Sequence, residues 1–176
     1  MISPVTHEQA ATSHSTVLEK TLEHRFLADL CSYLWTCGVY DFAVSQSEVD
    51  LYGYDVIVEA AGTIRHIQLK LARTGSRRRH VSLNNRLAQK QSGCVVWMFY
   101  KPQDLTIDHY LWFGSAPGEP LPALGDKVTR HAKGNAEGVK TKRPAHRDVA
   151  KGRFDRVPTV GGLAQRLFGP LEDAAR

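Results

Sequence analysis

Apolar and polar positions alternate with a period of two on both sides of a short turn between Tyr54 and Leu71. Val56, Val58 and Ala60 alternate with Asp55, Ile57 and Glu59; after Ala61-Gly62-Thr63, Ile67, Leu69 and Leu71 alternate with His66, Gln68 and Lys70. This pattern predicts a β-hairpin with one apolar face. The other face collects Asp55, Glu59, His66, Gln68 and Lys70. A two-residue turn at Ala61-Gly62 sets Asp55 opposite Gln68, and a turn at Gly62-Thr63 sets it opposite Lys70. Either register keeps all three on one face, because opposed residues point the same way at Cβ separations of roughly 4.5–5.5 Å. A three-residue turn would oppose Asp55 and Leu69 and break the arrangement.

Before the hairpin the period changes to that of a helix. Leu18, Leu22, Phe26, Leu30 and Leu34 recur at helical spacing, joined by Leu27 and Trp35. Thr16-Val17-Leu18-Glu19 has the form of a capping box, so the helix is expected to start at Ser15 or Thr16 and to stop at Gly38. Residues 1–14 read as a disordered tail. Val39 to Val44 is a short strand candidate, followed by the polar connection SQSEVDLYG.

After the hairpin comes a loop of cations and small residues, Arg73 to His80. Ser82 to Gln91 reads as a helix with Leu83 and Leu87 inward. Cys94 to Tyr100 is a continuous apolar run, as a strand buried on both faces requires. Asp108 to Phe113 is a further strand. Gly114 to Pro158 is rich in Gly, Pro and charge with little periodicity, and reads as a basic arm or mobile surface loop. Thr159 caps a last short helix, Gly161 to Phe168, which docks through Leu163, Leu167 and Phe168. The expected organisation is one domain, with a tail at 1–14, a core at 15–113 and a basic extension at 114–176.

Composition narrows the class. The chain has 176 residues, 42% apolar and 23% charged, which is globular. No apolar run approaches the roughly 18 residues of a membrane helix, and the first fifteen residues hold no apolar core of a signal peptide. Cys31, Cys37 and Cys94 are odd in number and match no zinc spacing. They read as reduced core residues of a cytoplasmic protein. Trp35, Trp97 and Trp112 sit in apolar segments and are expected in the core.

Charge is segregated along the chain. Residues 1–60 carry 2 Lys/Arg against 9 Asp/Glu, net −7; residues 61–118 are net +7; residues 119–176 are net +5. An acidic site that bridges to a polyanion through a cation needs both kinds of segment. Four arginines, Arg73, Arg77, Arg78 and Arg79, stand beside the hairpin and suit bidentate phosphate contacts. Lys127, Arg130, Lys133, Lys140, Lys142 and Arg143 open the basic extension, which runs on to Arg156.

The carboxylate, amide and ammonium of Asp55, Gln68 and Lys70 resemble the PD-(D/E)xK nuclease superfamily. There an aspartate begins one strand and an acidic residue-x-Lys follows on the next. Here the aspartate follows Gly53-Tyr54 with no proline before it, and Gln68-Leu69-Lys70 carries glutamine where an acid is usual. Some members, including transposon-end endonucleases, use this form. The order of elements, αβββαβ over about residues 16–113, is similar to a restriction-endonuclease-like α/β core with a central mixed sheet flanked by helices. The first helix of that family often supplies a further acid. Glu23 is expected in that role, since Glu19 is assigned to the cap, and Asp50 is a rival to Asp55.

What the resemblance implies is a DNA endonuclease dependent on Mg²⁺ or Mn²⁺. Glu23, Asp55, Gln68 and the Leu69 carbonyl would be the metal ligands, and Lys70 would stabilise the charge that develops on phosphorus. Glutamine in place of a carboxylate removes one negative charge and weakens metal affinity. A homodimer would cut both strands. A competing site, His66 with Glu59, would suit a transition metal. The sequence holds no HExxH, Walker loop, dinucleotide fingerprint or GxSxG. The alternative to the nuclease is a non-catalytic nucleic-acid- or protein-binding module on the same fold.

Overall fold

The computed structural model describes residues 6–47, 51–131 and 140–171. Among them are three α-helices, α1 (His7–Ser13), α2 (Ser15–Thr36) and α3 (Val160–Phe168). The strands are β1 (Phe42–Gln46), β2 (Val56–Ala60), β3 (Thr63–Arg73), β4 (His80–Asn84), β5 (Gly93–Tyr100), β6 (Ile107–Gly114), β7 (Val128–Arg130), β8 (Lys142–Ala150) and β9 (Asp155–Val157). They form a six-stranded sheet of order β1-β2-β3-β5-β6-β9 and a three-stranded sheet of order β4-β8-β7. The protein is thus α/β, with a mixed main sheet: β3 and β5 are parallel, and every other neighbouring pair is antiparallel. No helix among the described residues is long and apolar enough to cross a membrane.

The main sheet is the middle of three layers. On one face, Phe26, Leu30 and Leu34 of α2 are fully buried against Val56, Val58, Ile67, Val96 and Met98, and Leu22 is fully buried as well. Leu163, Leu167 and Phe168 of α3 join them, as the spacing predicts. On the other face, Val95, Trp97, Phe99 and Phe113 pack against Val81, Leu83, Leu87 and Val149 of the small sheet and its connections. β5 lies between both cores, and each of its eight residues is buried. That is why its sequence is one unbroken apolar run.

The hairpin has the two-residue turn. Val56 pairs with Ile67 and Ala60 with Thr63, with Ala61 at φ 49 and Gly62 at φ 70. Positive φ at both central residues matches the right-handed twist of the strands, and glycine takes the second at no steric cost.

Several expectations are corrected. α1 stands in a stretch expected to lack structure, and the capping box forms there: Thr6 Oγ1 accepts from Gln9 N at 3.3 Å, and Gln9 Oε1 accepts from Thr6 N at 2.9 Å. α2 begins at Ser15 with His14 as N-cap and no side-chain cap, so Thr16 and Glu19 form no such box. The first strand lies at 42–46 rather than 39–44. The helix expected over 82–91 is instead β4 followed by a 3₁₀ turn, Asn85–Gln89, capped by Asn84 Oδ1 on Arg86 N at 3.0 Å. Ser82, Asn84 and Asn85 are weak helix formers. Leu83 and Leu87 imitate a helical pair but reach the second core from a strand and a turn. Trp35 is 61% exposed, stacked edge-on against Tyr40, whereas Trp97 and Trp112 are buried as expected.

The region 114–158, which shows little periodicity, supplies β7, β8 and β9. β8 has only one buried residue, Val149, because the small sheet turns its other face to solvent. Pro144, a residue that cannot donate to a ladder, falls where β8 bulges past β7, between the Thr129–Arg143 and Val128–Arg147 pairs.

Arg65 ties the helical layer to the sheet. It is 0% exposed, and its guanidinium lies 5.5 Å from the Trp112 ring centroid. It donates to the carbonyls of Leu167 and Arg166 at the C-terminal end of α3, and to that of Ser115. Burial lowers its pKa, but a guanidinium stays charged, and positive charge suits the negative end of a helix. Arg65→Met should cost about 2–4 kcal/mol, because three carbonyls lose a charged donor together. Chemical denaturation checks this; a loss below about 1 kcal/mol would mean that α3 holds by its apolar face alone.

Candidate functional site

β2 has five residues and β3 has eleven. β2 begins at Val56, opposite Ile67, so from Gln68 onward β3 is paired only on its β5 side. Asp55, one residue outside the ladder, turns its side chain across this gap. Its N–H donates to the Ile67 carbonyl at 2.9 Å, and its own carbonyl accepts from Ser47 N at 3.1 Å. Its Oδ2 accepts from the Leu69 N–H at 2.6 Å, the bond the missing strand residue would have made. The Leu69 carbonyl lies on the same edge as its N–H, since the two groups of one strand residue point the same way.

The segment leading to Asp55 is held close to the small sheet. Gly53 has φ 77, and a Cβ there would come within 2.5 Å of Asn84 Cβ. Only glycine combines that backbone conformation with that approach.

A cavity of about 440 Å³ opens at the strand edge. Asp55, Leu69 and Lys70 line it from the sheet, Glu19, Lys20 and Glu23 from α2, and Arg78 from the loop after β3. Glu23 is 7% exposed, and its carboxylate accepts from Lys20 Nζ at 2.9 and 3.1 Å and from Gln46 Nε2 at 2.8 Å. Three carboxylates and three cations therefore share one wall. Glu19, which the sequence assigned to a cap, belongs to this wall instead. Lys20 and Gln46 are the residues sequence reasoning missed. Lys20 follows from the i,i+3 spacing to Glu23 on one helix; Gln46 had no local signal, because only the fold brings β1 to α2.

Gln68 is placed differently. It stands opposite Asp55, as the two-residue turn requires, but is 6% exposed and does not line this cavity. Its Oε1 is buried without a hydrogen-bond partner. A buried amide oxygen without a donor is costly, and a cation at the strand edge is one remedy. Among the described residues no group of three or more His, Cys, Asp and Glu side chains is arranged to hold a metal ion. The oxygen donors at the cavity are the carboxylates of Glu23 and Asp55 and the Leu69 edge, a hard-oxygen chemistry of the kind Mg²⁺ or Mn²⁺ takes; the Gln68 amide lies outside it.

His66, expected to act with Glu59, lines a separate cavity with Gln91 and Ser92. The His66 Nδ1–H donates to the Gln91 carbonyl at 3.1 Å, and the ring packs edge-on to Tyr54. Burial lowers its pKa, the hydrogen bond to Gln91 opposes that, and Lys90 adds to the lowering. Cys94 is buried, and burial pushes its thiol up to about 12, so it is no nucleophile. Asp50 and Lys133 lie outside the described residues.

The expected basic residues separate into groups. Arg78, Lys127, Arg130, Lys140 and Lys142 line one cleft with Lys70. Arg73 lines a different cavity, between α1, the start of α2 and the β5–β6 turn. Arg143 meets His146 Nε2 at 3.0 Å on β8. Arg77 and Arg79 are exposed on the loop before β4.

Fold and site together define an α/β protein with a mixed sheet and a balanced cluster of acids and bases where one strand outruns its neighbour. No protein-family model, curated protein or solved structure matches the chain.

Asp55→Ala should cost about 1–3 kcal/mol, because it leaves the Leu69 N–H without its acceptor. Asp55→Asn keeps an oxygen for that bond and should cost less. Urea denaturation of both variants tests this, and equal losses would mean that water replaces the carboxylate freely.

Proposed function

We propose that the protein is a metal-dependent endonuclease that hydrolyses DNA phosphodiester bonds at the cavity beside Asp55. The observation that carries this reading is the convergence of Glu23, Asp55, Lys70 and the Leu69 edge on one cavity, from a helix and two strands of unequal length. The order of elements adds support. A helix, three antiparallel strands and a crossover to a parallel strand follow the restriction-endonuclease-like pattern, although a strand and a 3₁₀ turn stand where that pattern has its second helix.

Asp55 and Glu23 would hold the cation, with the Leu69 carbonyl as a further donor; Gln68 Oε1 lies outside the cavity and would join them only by turning toward the strand edge. The cation, when bound, would polarise a phosphodiester oxygen and lower the pKa of a bound water. Asp55 stays anchored by the Leu69 N–H on the lining of the cavity. Lys70 brings an ammonium to the wall and stabilises negative charge that grows on the phosphoryl oxygens. Arg78, from the loop beside it, suits the same phosphate with a planar fork of donors. Lys20 holds Glu23 by an ion pair and neutralises part of the site's charge when no cation is present.

Cleavage of a plasmid or oligonucleotide in Mg²⁺ or Mn²⁺ tests the reading. Asp55→Asn and Lys70→Gln should each lower the rate by about 10²-fold or more while remaining folded, and EDTA should abolish cleavage. Wild-type rates in either variant, or in EDTA, would remove this mechanism.

Gln68→Glu is the sharper probe of cation binding. The side chains are nearly isosteric, but the new carboxylate joins Asp55 across the hairpin. Without metal the variant should melt lower than wild type. With Mg²⁺ it should gain more in melting temperature than wild type, because a ligand stabilises the state it binds. Melting curves that Mg²⁺ leaves unmoved in both proteins would count against a cation site.

A further inference from the structure

A second cleft, of about 910 Å³, lies over the small sheet and shares Lys70 and Arg78 with the cavity beside Asp55. Lys127, Arg130, Lys140 and Lys142 also line it. We infer that this cleft binds the sugar–phosphate backbone of a nucleic acid and leads it to the cavity beside Asp55; the direction of that lead rests on the nuclease reading.

The cations come from separate parts of the fold. Lys70 is on β3, Arg78 on the following loop, Lys127 and Arg130 at β7, and Lys140 and Lys142 at the start of β8. Two acids, Asp126 and Asp148, line the same cleft. Asp148 is engaged within the wall: its Oδ1 accepts from Thr129 Oγ1 at 2.7 Å, and its Oδ2 lies 3.7 Å from His80 Nε2 and 4.0 Å from Lys127 Nζ. Thr129 Oγ1 is also 3.0 Å from Ser82 Oγ, which joins β4 to β7 across β8. Asp148 therefore fixes the floor, and its negative charge counts against the cations, Lys127 among them. His131 lines the cleft as well.

Among the described residues, six Lys and Arg against two acids leave an excess of four positive charges in one concavity. Such gathering of like charge raises the energy of the empty protein and is relieved by an anion. A lone phosphate would meet one or two of these cations. A backbone with repeated phosphates meets several in succession, and releases its counterions as it does so. The shared position of Lys70 and Arg78 gives the path its connection: a strand held in the cleft passes a phosphate to the acidic cavity. No base-reading group is needed for this, so the cleft should hold all sequences alike.

The test uses labelled single-stranded and duplex oligonucleotides in EDTA, with fluorescence anisotropy as readout, so that binding is measured without cleavage. Lys127→Gln, Arg130→Gln and Lys142→Gln are combined in one variant. A control combines Arg25→Gln, Lys101→Gln and Arg166→Gln, three exposed cations outside the cleft. Each lost contact should lower the slope of log K against log salt by about 0.7 on a single strand or about 0.9 on duplex. The cleft variant should therefore lose about 2 to 3 in slope and bind at least about tenfold more weakly at low salt. The control should lose much less. The oligonucleotide whose binding falls more identifies the form the cleft accepts. Equal losses in both variants, or none in the cleft variant, would overturn the inference. The two readings fail separately: a protein that binds through the cleft but never cuts sinks the nuclease alone, and one that cuts with unchanged KM in the cleft variant sinks the cleft alone.

Discussion

The site depends on a mismatch of strand length. β3 runs six residues past the point where β2 stops pairing with it, and those residues keep a neighbour on one side only. An unpaired strand edge must place its N–H and C=O groups somewhere. Asp55 answers the first of them with a carboxylate in place of a backbone carbonyl. A charged group is thereby fixed at the end of a hydrogen-bonded ladder, where the rigid sheet determines its position. α2 then approaches the same gap and brings Glu19, Lys20 and Glu23 to it.

That gap survives because the rest of the sheet is held from both sides. β5 is buried along its whole length between the helical layer and the small sheet, so it anchors β3 from the far side. The crossover from β3 to β5 must be long, since parallel strands cannot be joined by a tight turn. Here the crossover is spent on β4 and a 3₁₀ turn, and β4 becomes the edge of the second sheet. The same connection that makes β3 and β5 parallel therefore also builds the basic cleft beside the acidic cavity. Arg78 sits on it and lines both.

Much of this was legible in local patterns. The hairpin and its face read directly from alternation, and β5, β6 and α3 from apolar runs and a Thr cap. These elements bury a complete apolar face, so the period of the sequence reports the period of the structure. β8 failed that test: with one buried residue in nine, its pairing partners hold it, and composition cannot reveal partners. The Ser82–Gln91 stretch failed in another way, since Leu83 and Leu87 satisfy two periods at once and only the Asn84 cap decides between them. Spacing set Asp55 opposite Gln68, as the hairpin has it, but only Asp55 lines the cavity. The Gln46 amide that holds Glu23 had no such signal, because the two are 23 residues apart and meet only across the fold.

Charge segregation along the chain takes on a spatial meaning. The acidic first third gives α2, β1 and β2, which converge on the strand edge. The basic remainder gives the loop after β3 and the second sheet, which lie on the opposite side of the same edge. Lys70 belongs to both, because β3 is the boundary between the two layers and its even-numbered residues face the small sheet. Asp55 reaches that boundary from the acidic side by way of the Leu69 N–H. Opposite charges therefore meet along a line one strand wide: the cavity beside Asp55 holds three carboxylates and three cations, and the cleft over the small sheet holds more cations than acids. On the proposed reading, the carboxylates would hold a small cation and the cleft a long anion. A phosphate placed between Arg78 and Lys70 would be the point at which the two kinds of ligand touch.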